Sequence, residues 1–253
     1  MRFASVLMAA GAVSALAACS TPPDSRFYTL DGGAAAATRT AAAAPASFYL
    51  EVAPVDMPPQ VAKNQMVVQD GTAQVRVLEY ERWASLPADE VRRALSADLT
   101  QQLGAIDVYG TPYPEGASVY RVKVNVQRFE SSPGRRALID AVWSVRGVAN
   151  EAVLTCRTVS EQPVDAGFDA LVAGHRRAVD QLASEISAGL RTVSSVPVPM
   201  ASMPSSGSKP ASSARAAAAA PVSRALPCPV PNTSTTASTT ASTAASTTAS
   251  AAR

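Results

Sequence analysis

Val119-Tyr120-Arg121-Val122-Lys123-Val124-Asn125-Val126-Gln127-Arg128-Phe129 is the stretch that decides the fold. Val122, Val124 and Val126 recur at every second position, with Arg121, Lys123, Asn125 and Gln127 between them. Successive side chains of a strand point to opposite faces. The run is therefore a strand with one buried side and one side that meets water or a partner. Pro133-Gly134 breaks it, and Leu138 to Val148 continues with Ile139, Ala141, Trp143 and Val145 on one face. Asn150 marks the next turn, after which Ala152, Leu154 and Cys156 can face inward from Glu151 to Val159. Three consecutive alternating runs joined by short turns make an antiparallel meander.

Working outward, Phe168, Leu171, Val172, Val179, Leu182, Ile186, Leu190 and Val193 form one stripe of a helix over about Gly167 to Val193. A second helix precedes the meander. Ser85 is a suitable N-cap, Pro87 belongs in a first turn, and Asp89 and Glu90 suit the positive end of the helix dipole. Val91, Ala94, Leu95, Leu99 and Leu103 then recur at helical spacing up to Gly104. A short strand follows at Ile106 to Tyr109. Before this helix, Gln65 to Gln69 and Ala73 to Tyr80 read as a hairpin turned at Asp70-Gly71. Phe48, Leu50 and Val52 alternate in a strand ended by Pro54, Pro58 and Pro59, and Phe27 to Leu30 reads as a short first strand. The fold class expected is α+β: a mixed, largely antiparallel sheet with two amphipathic helices packed on one face.

The two ends differ from this middle. Met1-Arg2, an uncharged apolar run from Phe3 to Ala18 and small residues before Cys19 make an export signal. The run is shorter than the about 20 apolar residues of a spanning helix. From Ser194, Pro-Val pairs give way to Ala, Ser and Thr repeats, which bury too little surface to offset the entropy of ordering. The expected organisation is a signal peptide over 1–18, a lipid-anchored N-terminus with the first strand and a linker over 19–47, a globular domain over 48–193 and a disordered tail over 194–253. Asn232-Thr233-Ser234 matches the glycosylation pattern, but an unmodified coil is the preferred reading.

Charge and cysteine content bound the function. Arg2 leaves with the signal, and Lys209, Arg215, Arg224 and Arg253 sit in the tail without an acid, so the total of +2 leaves −3 on residues 20–193. That is no footprint for nucleic acid. Cys156 and Cys228 can pair in an oxidising compartment. The favoured reading keeps them apart, Cys156 as a small buried side chain and Cys228 as a separate thiol, because one lies in a strand and the other in the tail.

Catalytic patterns are absent. His175 is the only histidine, so a triad or a histidine zinc site would rest on it alone, and its place beside the apolar helix stripe favours a packed residue. No phosphate-cradling glycine loop, GxSxG, HExxH or paired-cysteine metal motif occurs, so neither catalytic residues, metal nor a diffusible cofactor is expected. One local constellation is retained. Tyr80, Arg82 and Trp83 lie where strand gives way to helix, and such side chains dominate interface anchors, although the favoured reading is that Trp83 closes the core at the helix start while Arg82 is solvated.

Leu16-Ala17-Ala18-Cys19 resembles the lipobox of bacterial lipoproteins. That resemblance implies diacylglycerol on the Cys19 sulfur and an N-acyl chain on its freed amine. Each buried methylene contributes ~0.8 kcal/mol, and two or more chains hold a protein stably at a membrane. With Phe27-Tyr28-Thr29-Leu30, Leu50-Glu51-Val52-Ala53-Pro54-Val55, Tyr80-Glu81-Arg82-Trp83-Ala84 and Ala170-Leu171-Val172, the chain resembles the PqiC/YmbA-type auxiliary lipoproteins of ABC-linked intermembrane transport over roughly residues 16–193. The resemblance implies a non-enzymatic periplasmic part on the outer membrane, a sorting with which Ser20 agrees. It also implies an MCE-domain protein as partner in moving lipids, and a homo-oligomer. Where that family carries a Trp-Ala-Glu-Pro-Leu-like motif, this chain reads Trp83-Ala84-Ser85-Leu86-Pro87. The alternative reading is an independent periplasmic lipid or small-ligand carrier, which needs a hollow between sheet and helices.

Overall fold

The computed structural model describes residues 24–31, 47–150, 152–197 and 226–229. Cys19, the alanine-rich linker and most of the tail lie outside them. Among the described residues these elements follow in order: β1 Arg26–Tyr28, β2 Phe48–Val52, β3 Gln65–Gln69, β4 Val75–Trp83, α1 Pro87–Leu103, β5 Ile106–Asp107, β6 Ser118–Ser132, β7 Arg136–Gly147, β8 Val153–Pro163 and α2 Phe168–Ser194. Among the described residues the architecture is α+β, with mostly antiparallel pairing and two helices.

The meander forms as its alternation requires. β6 pairs β7 and β7 pairs β8, both antiparallel, with Val122 opposite Val145 and Trp143 opposite Cys156. Val122, Val124, Val126, Ile139, Ala141, Trp143, Val145 and Leu154 are buried on the face that the helices cover. β2 and β5 extend the sheet by parallel pairing, giving the order β5-β2-β6-β7-β8. The strands do not all join it, contrary to the single-sheet expectation. β1, β4 and β3 make a separate three-stranded sheet in that order. β1 runs parallel to β4, with Tyr28 beside Trp83, and β3 runs antiparallel to it across an irregular register.

α2 lies against β7 and β8, and α1 lies against α2 and the β2–β5 side. Leu171, Val179, Leu182, Ile186, Leu190 and Val193 form the fully buried stripe of α2. At Gly189 the helix comes so close that an added Cβ would stand 2.8 Å from the Trp143 ring and 2.9 Å from Leu154. Gly104 ends α1 in the left-handed conformation at φ 65°, its N–H donating to the Thr100 carbonyl. Ser85 does not cap α1. Leu86 occupies the N-cap position without a side-chain bond, and Ser85 instead donates its N–H (3.1 Å) and hydroxyl (2.6 Å) to the Glu90 carboxylate.

The two cysteines also correct the expectation of separate thiols. Cys156 and Cys228 form a disulfide, with Cα atoms 5.8 Å apart. Leu226 packs on the main core, which brings the neighbouring Cys228 to the Cys156 side of β8, the outermost strand of its sheet. Cys156 is thus both a buried strand residue and a bridge.

Candidate docking surface and its anchor

β1 begins seven residues after Cys19, so the intervening chain spans at most ~25 Å at about 3.5 Å per residue. The strand is too short to hold by backbone bonds alone, and two buried carboxylates secure it. Glu81 accepts from Arg26 Nη2 at 2.6 Å and from the Tyr28 hydroxyl at 2.7 Å. Burial first, and then this bond to Glu81, pushes the Tyr28 hydroxyl up to about 12. Glu90, with no exposed surface, accepts from Thr29 Oγ1 (2.8 Å), the Leu30 N–H (2.9 Å), both Ser85 donors and Arg93. Burial alone would raise the Glu90 carboxyl. The hydrogen bonds from Ser85, Leu30 and Thr29, helped by the Arg93 charge, outweigh it and hold the group below its ordinary value. Arg176 of α2 adds a bond to the Leu30 carbonyl.

Parallel register also sorts the side chains of this small sheet. Arg26, Tyr28, Glu81 and Trp83 share its inner face, and Phe27 and Arg82 share the outer one. Trp83 is 2% exposed and meets Phe129 and His175 edge-on, with centroids 6.0 Å away in each case. Of the three residues marked for recognition in the sequence, Trp83 therefore supports the surface from beneath. Tyr80 and Arg82 reach it, and Arg82 is oriented by a 2.7 Å bond from Nε to the Glu79 carbonyl. Phe27, 64% exposed, stands opposite Arg82 and is the contributor that local reading missed. Its signal was available only once the β1–β4 pairing was known, because an isolated aromatic in a short strand reads as core. Val75 and Val77, further along β4, are exposed as well.

His175 lies deep in the domain. Its ring stacks on Phe129, its Nε2 meets Ser131 Oγ at 2.8 Å, and its Nδ1 finds no partner among the described residues. Burial pushes the imidazole down to about 3, so it is neutral at ordinary pH and sealed from any substrate. Among the described residues no three His, Cys, Asp or Glu side chains gather as metal ligands, and no helix is long and apolar enough to cross a membrane.

Residues 28–187 match the family described as the ABC-type transport auxiliary lipoprotein component. A solved structure of an uncharacterized protein matches with a TM-score of 0.53 at 20% identity, covering 66% of this chain and 99% of the other. A Xanthomonas campestris protein matches at a TM-score of 0.48 and 18% identity, over 59% of this chain and 88% of its own. A Caulobacter crescentus chain described as a lipoprotein matches at a TM-score of 0.28 and 20% identity, over 43% and 84%. No curated protein matches. The family match begins inside β1 and runs to within α2, so it takes in the two carboxylates, both sheets and most of the helical layer. The chain belongs to the ABC-type transport auxiliary lipoprotein components.

Proposed function

We propose that this lipoprotein is held by acyl chains on Cys19 at the periplasmic face of the outer membrane, where it docks an MCE-domain protein of an intermembrane lipid transport system and has no catalysis of its own. One observation carries the reading: the exposed Phe27 and Tyr80 and the half-buried Arg82 belong to the small sheet whose β1 strand begins seven residues after Cys19. Anchor and recognition surface thus share one element, and the tether of at most ~25 Å keeps that surface near the membrane. Aromatic and arginine side chains on a rigid sheet are the usual anchors of protein interfaces. A lipid carrier needs room between α2 and the sheet, and the close approach of Gly189 to Trp143 and Leu154 opposes it there.

The test is a native-membrane pull-down of the intact protein, a Cys19→Ala variant and a Tyr80→Ala/Arg82→Glu variant, with membrane fractionation and mass spectrometry. Recovery of an MCE protein with the outer-membrane fraction is expected. Cys19→Ala should lose the membrane, and the double variant should keep the membrane and lose the partner. An acylated protein that arrives alone would overturn the docking role.

A further inference from the structure

A cleft of ≈ 330 Å³ opens between the β3–β4 turn and the connected ends of β6 and β7. Two stretches far apart in the chain build it. Gln69 and Thr72 come from the hairpin, and Arg128, Ser132, Arg135 and Arg136 come from the β6–β7 end. Residues 20–193 carry −3, so three guanidinium groups around one opening are a local segregation of charge and not a reflection of a basic domain.

Among the described residues the one lining acid, Glu130, is already engaged. Glu130 Oε1 is held by Arg128 at 2.7 Å, and its Oε2 is held by Arg136 Nη2 at 3.1 Å. Glu161 takes the other terminal nitrogen of Arg136 at 2.9 Å. Asp140, the acid opposite Arg128 across the strands, is occupied by Arg157 through bonds of 2.8 and 2.7 Å. These pairs fix the direction of two arginines while leaving further N–H donors on each, since a guanidinium carries five. Arg135 forms no salt bridge among the described residues. Apart from Glu130, every lining side chain named can donate a hydrogen bond. The complementary ligand is therefore anionic and rich in acceptors, for which arginine forks suit phosphate oxygens best. The volume exceeds that of a bare ion and suits a small phosphorylated group.

We propose that this cleft binds a phosphate ester on a small polar body, either a soluble phosphoester or the headgroup of a phospholipid. The hydroxyls of Thr72 and Ser132 and the amide of Gln69 supply neutral donors beside the three guanidinium groups.

The acylated full-length protein, kept in an uncharged maltoside detergent, is titrated calorimetrically with inorganic phosphate, glycerol 3-phosphate, dihexanoyl phosphatidylglycerol and, as a phosphate-free control, glycerol. Saturable binding of a phosphate compound but not of glycerol is expected, weakening with salt. Arg135→Ala, which removes no ion pair seen here, should weaken it about tenfold, the loss of one charge-assisted contact. Binding of glycerol 3-phosphate as tight as that of the lipid assigns the site to soluble phosphoesters; binding of the lipid alone assigns it to headgroups. A measurement without a variant accompanies this: glycerol 3-phosphate or dihexanoyl phosphatidylglycerol, whichever binds, should protect Arg135 from phenylglyoxal, read by peptide mass spectrometry. Absence of saturable binding, binding unchanged in Arg135→Ala, or no protection would overturn the proposal.

Discussion

His175 stacks on Phe129 with ring centroids 4.2 Å apart and planes within 8° of parallel. A proton on this imidazole would be cut off from solvent, since His175 has no exposed surface, and folding therefore favours the neutral ring. Its folded value of about 3 lies below the ordinary 6.5, so the unfolded chain binds the extra proton between them. The contribution is fully present above pH 6.5 and is lost as pH falls toward 3, by roughly 1.4 kcal/mol per pH unit. Urea midpoints for His175→Phe should fall less steeply than for the parent over that window; parallel curves would remove His175 as the cause.

Glu90 gathers donors from the two residues that follow β1, from the chain before α1 and from α1 itself, so its removal should act on the anchor segment more than on the sheet. Glu90→Ala is expected to cost about 3 kcal/mol, because Arg93 and several donors lose a buried partner. Its carboxyl is held below the ordinary 4.5, so its contribution is present above that value and is lost as pH falls through the lower folded one. Hydrogen exchange checks the location: the Leu30 amide should lose protection while amides of β7 keep theirs.

The Cys156–Cys228 bridge joins residues 72 apart in sequence. Closing a loop of that length removes unfolded-state entropy equivalent to about 4 kcal/mol on the chain-entropy account. Cys228→Ser and reduction of the parent should lower the urea midpoint together, and reduction of the variant should change nothing further. Non-reducing peptide mapping supplies the direct check, through a crosslinked pair of peptides carrying these two cysteines.

Gly189 should tolerate no larger residue. Gly189→Val places its branch against Trp143 and Leu154, and relief requires moving α2 or the tryptophan, a change expected to cost about 1–3 kcal/mol. Thermal melts with near-ultraviolet dichroism of Trp143 would register both the loss and the displaced ring.

The meander and both helices were legible because each writes its own period into the chain. Val122, Val124 and Val126 declare a face locally, and so does the stripe from Leu171 to Val193. The separation into two sheets left no such mark. β1 meets β4 across 55 residues in parallel, and nothing in Arg26-Phe27-Tyr28 states whether its neighbour lies in the meander or elsewhere. Trp83 was ambiguous for the same reason, since only the pairing of Tyr28 with Trp83 tells which side of β4 is inner. Ser85 had the chemistry of a cap, but Glu90 offers its hydroxyl and amide a charged acceptor, and a charged acceptor is the stronger partner. The disulfide was open in the sequence because the distance between strand and tail is a tertiary quantity.

The parallel pairing of β1 with β4 also determines how the domain bears mechanical load. Under the proposed anchoring by acyl chains on Cys19, a pull from the membrane would reach the domain at the N-terminal end of β1, and its component along the strand would load that pairing. Its ladder with β4, the Ala84 N–H bond to the Tyr28 carbonyl and the carboxylates of Glu81 and Glu90 then resist sliding together. A strand peeled from its edge would surrender these contacts one after another. Under that proposal the leash would be fastened in shear, and a pull would pass through β4 into α1 and the core.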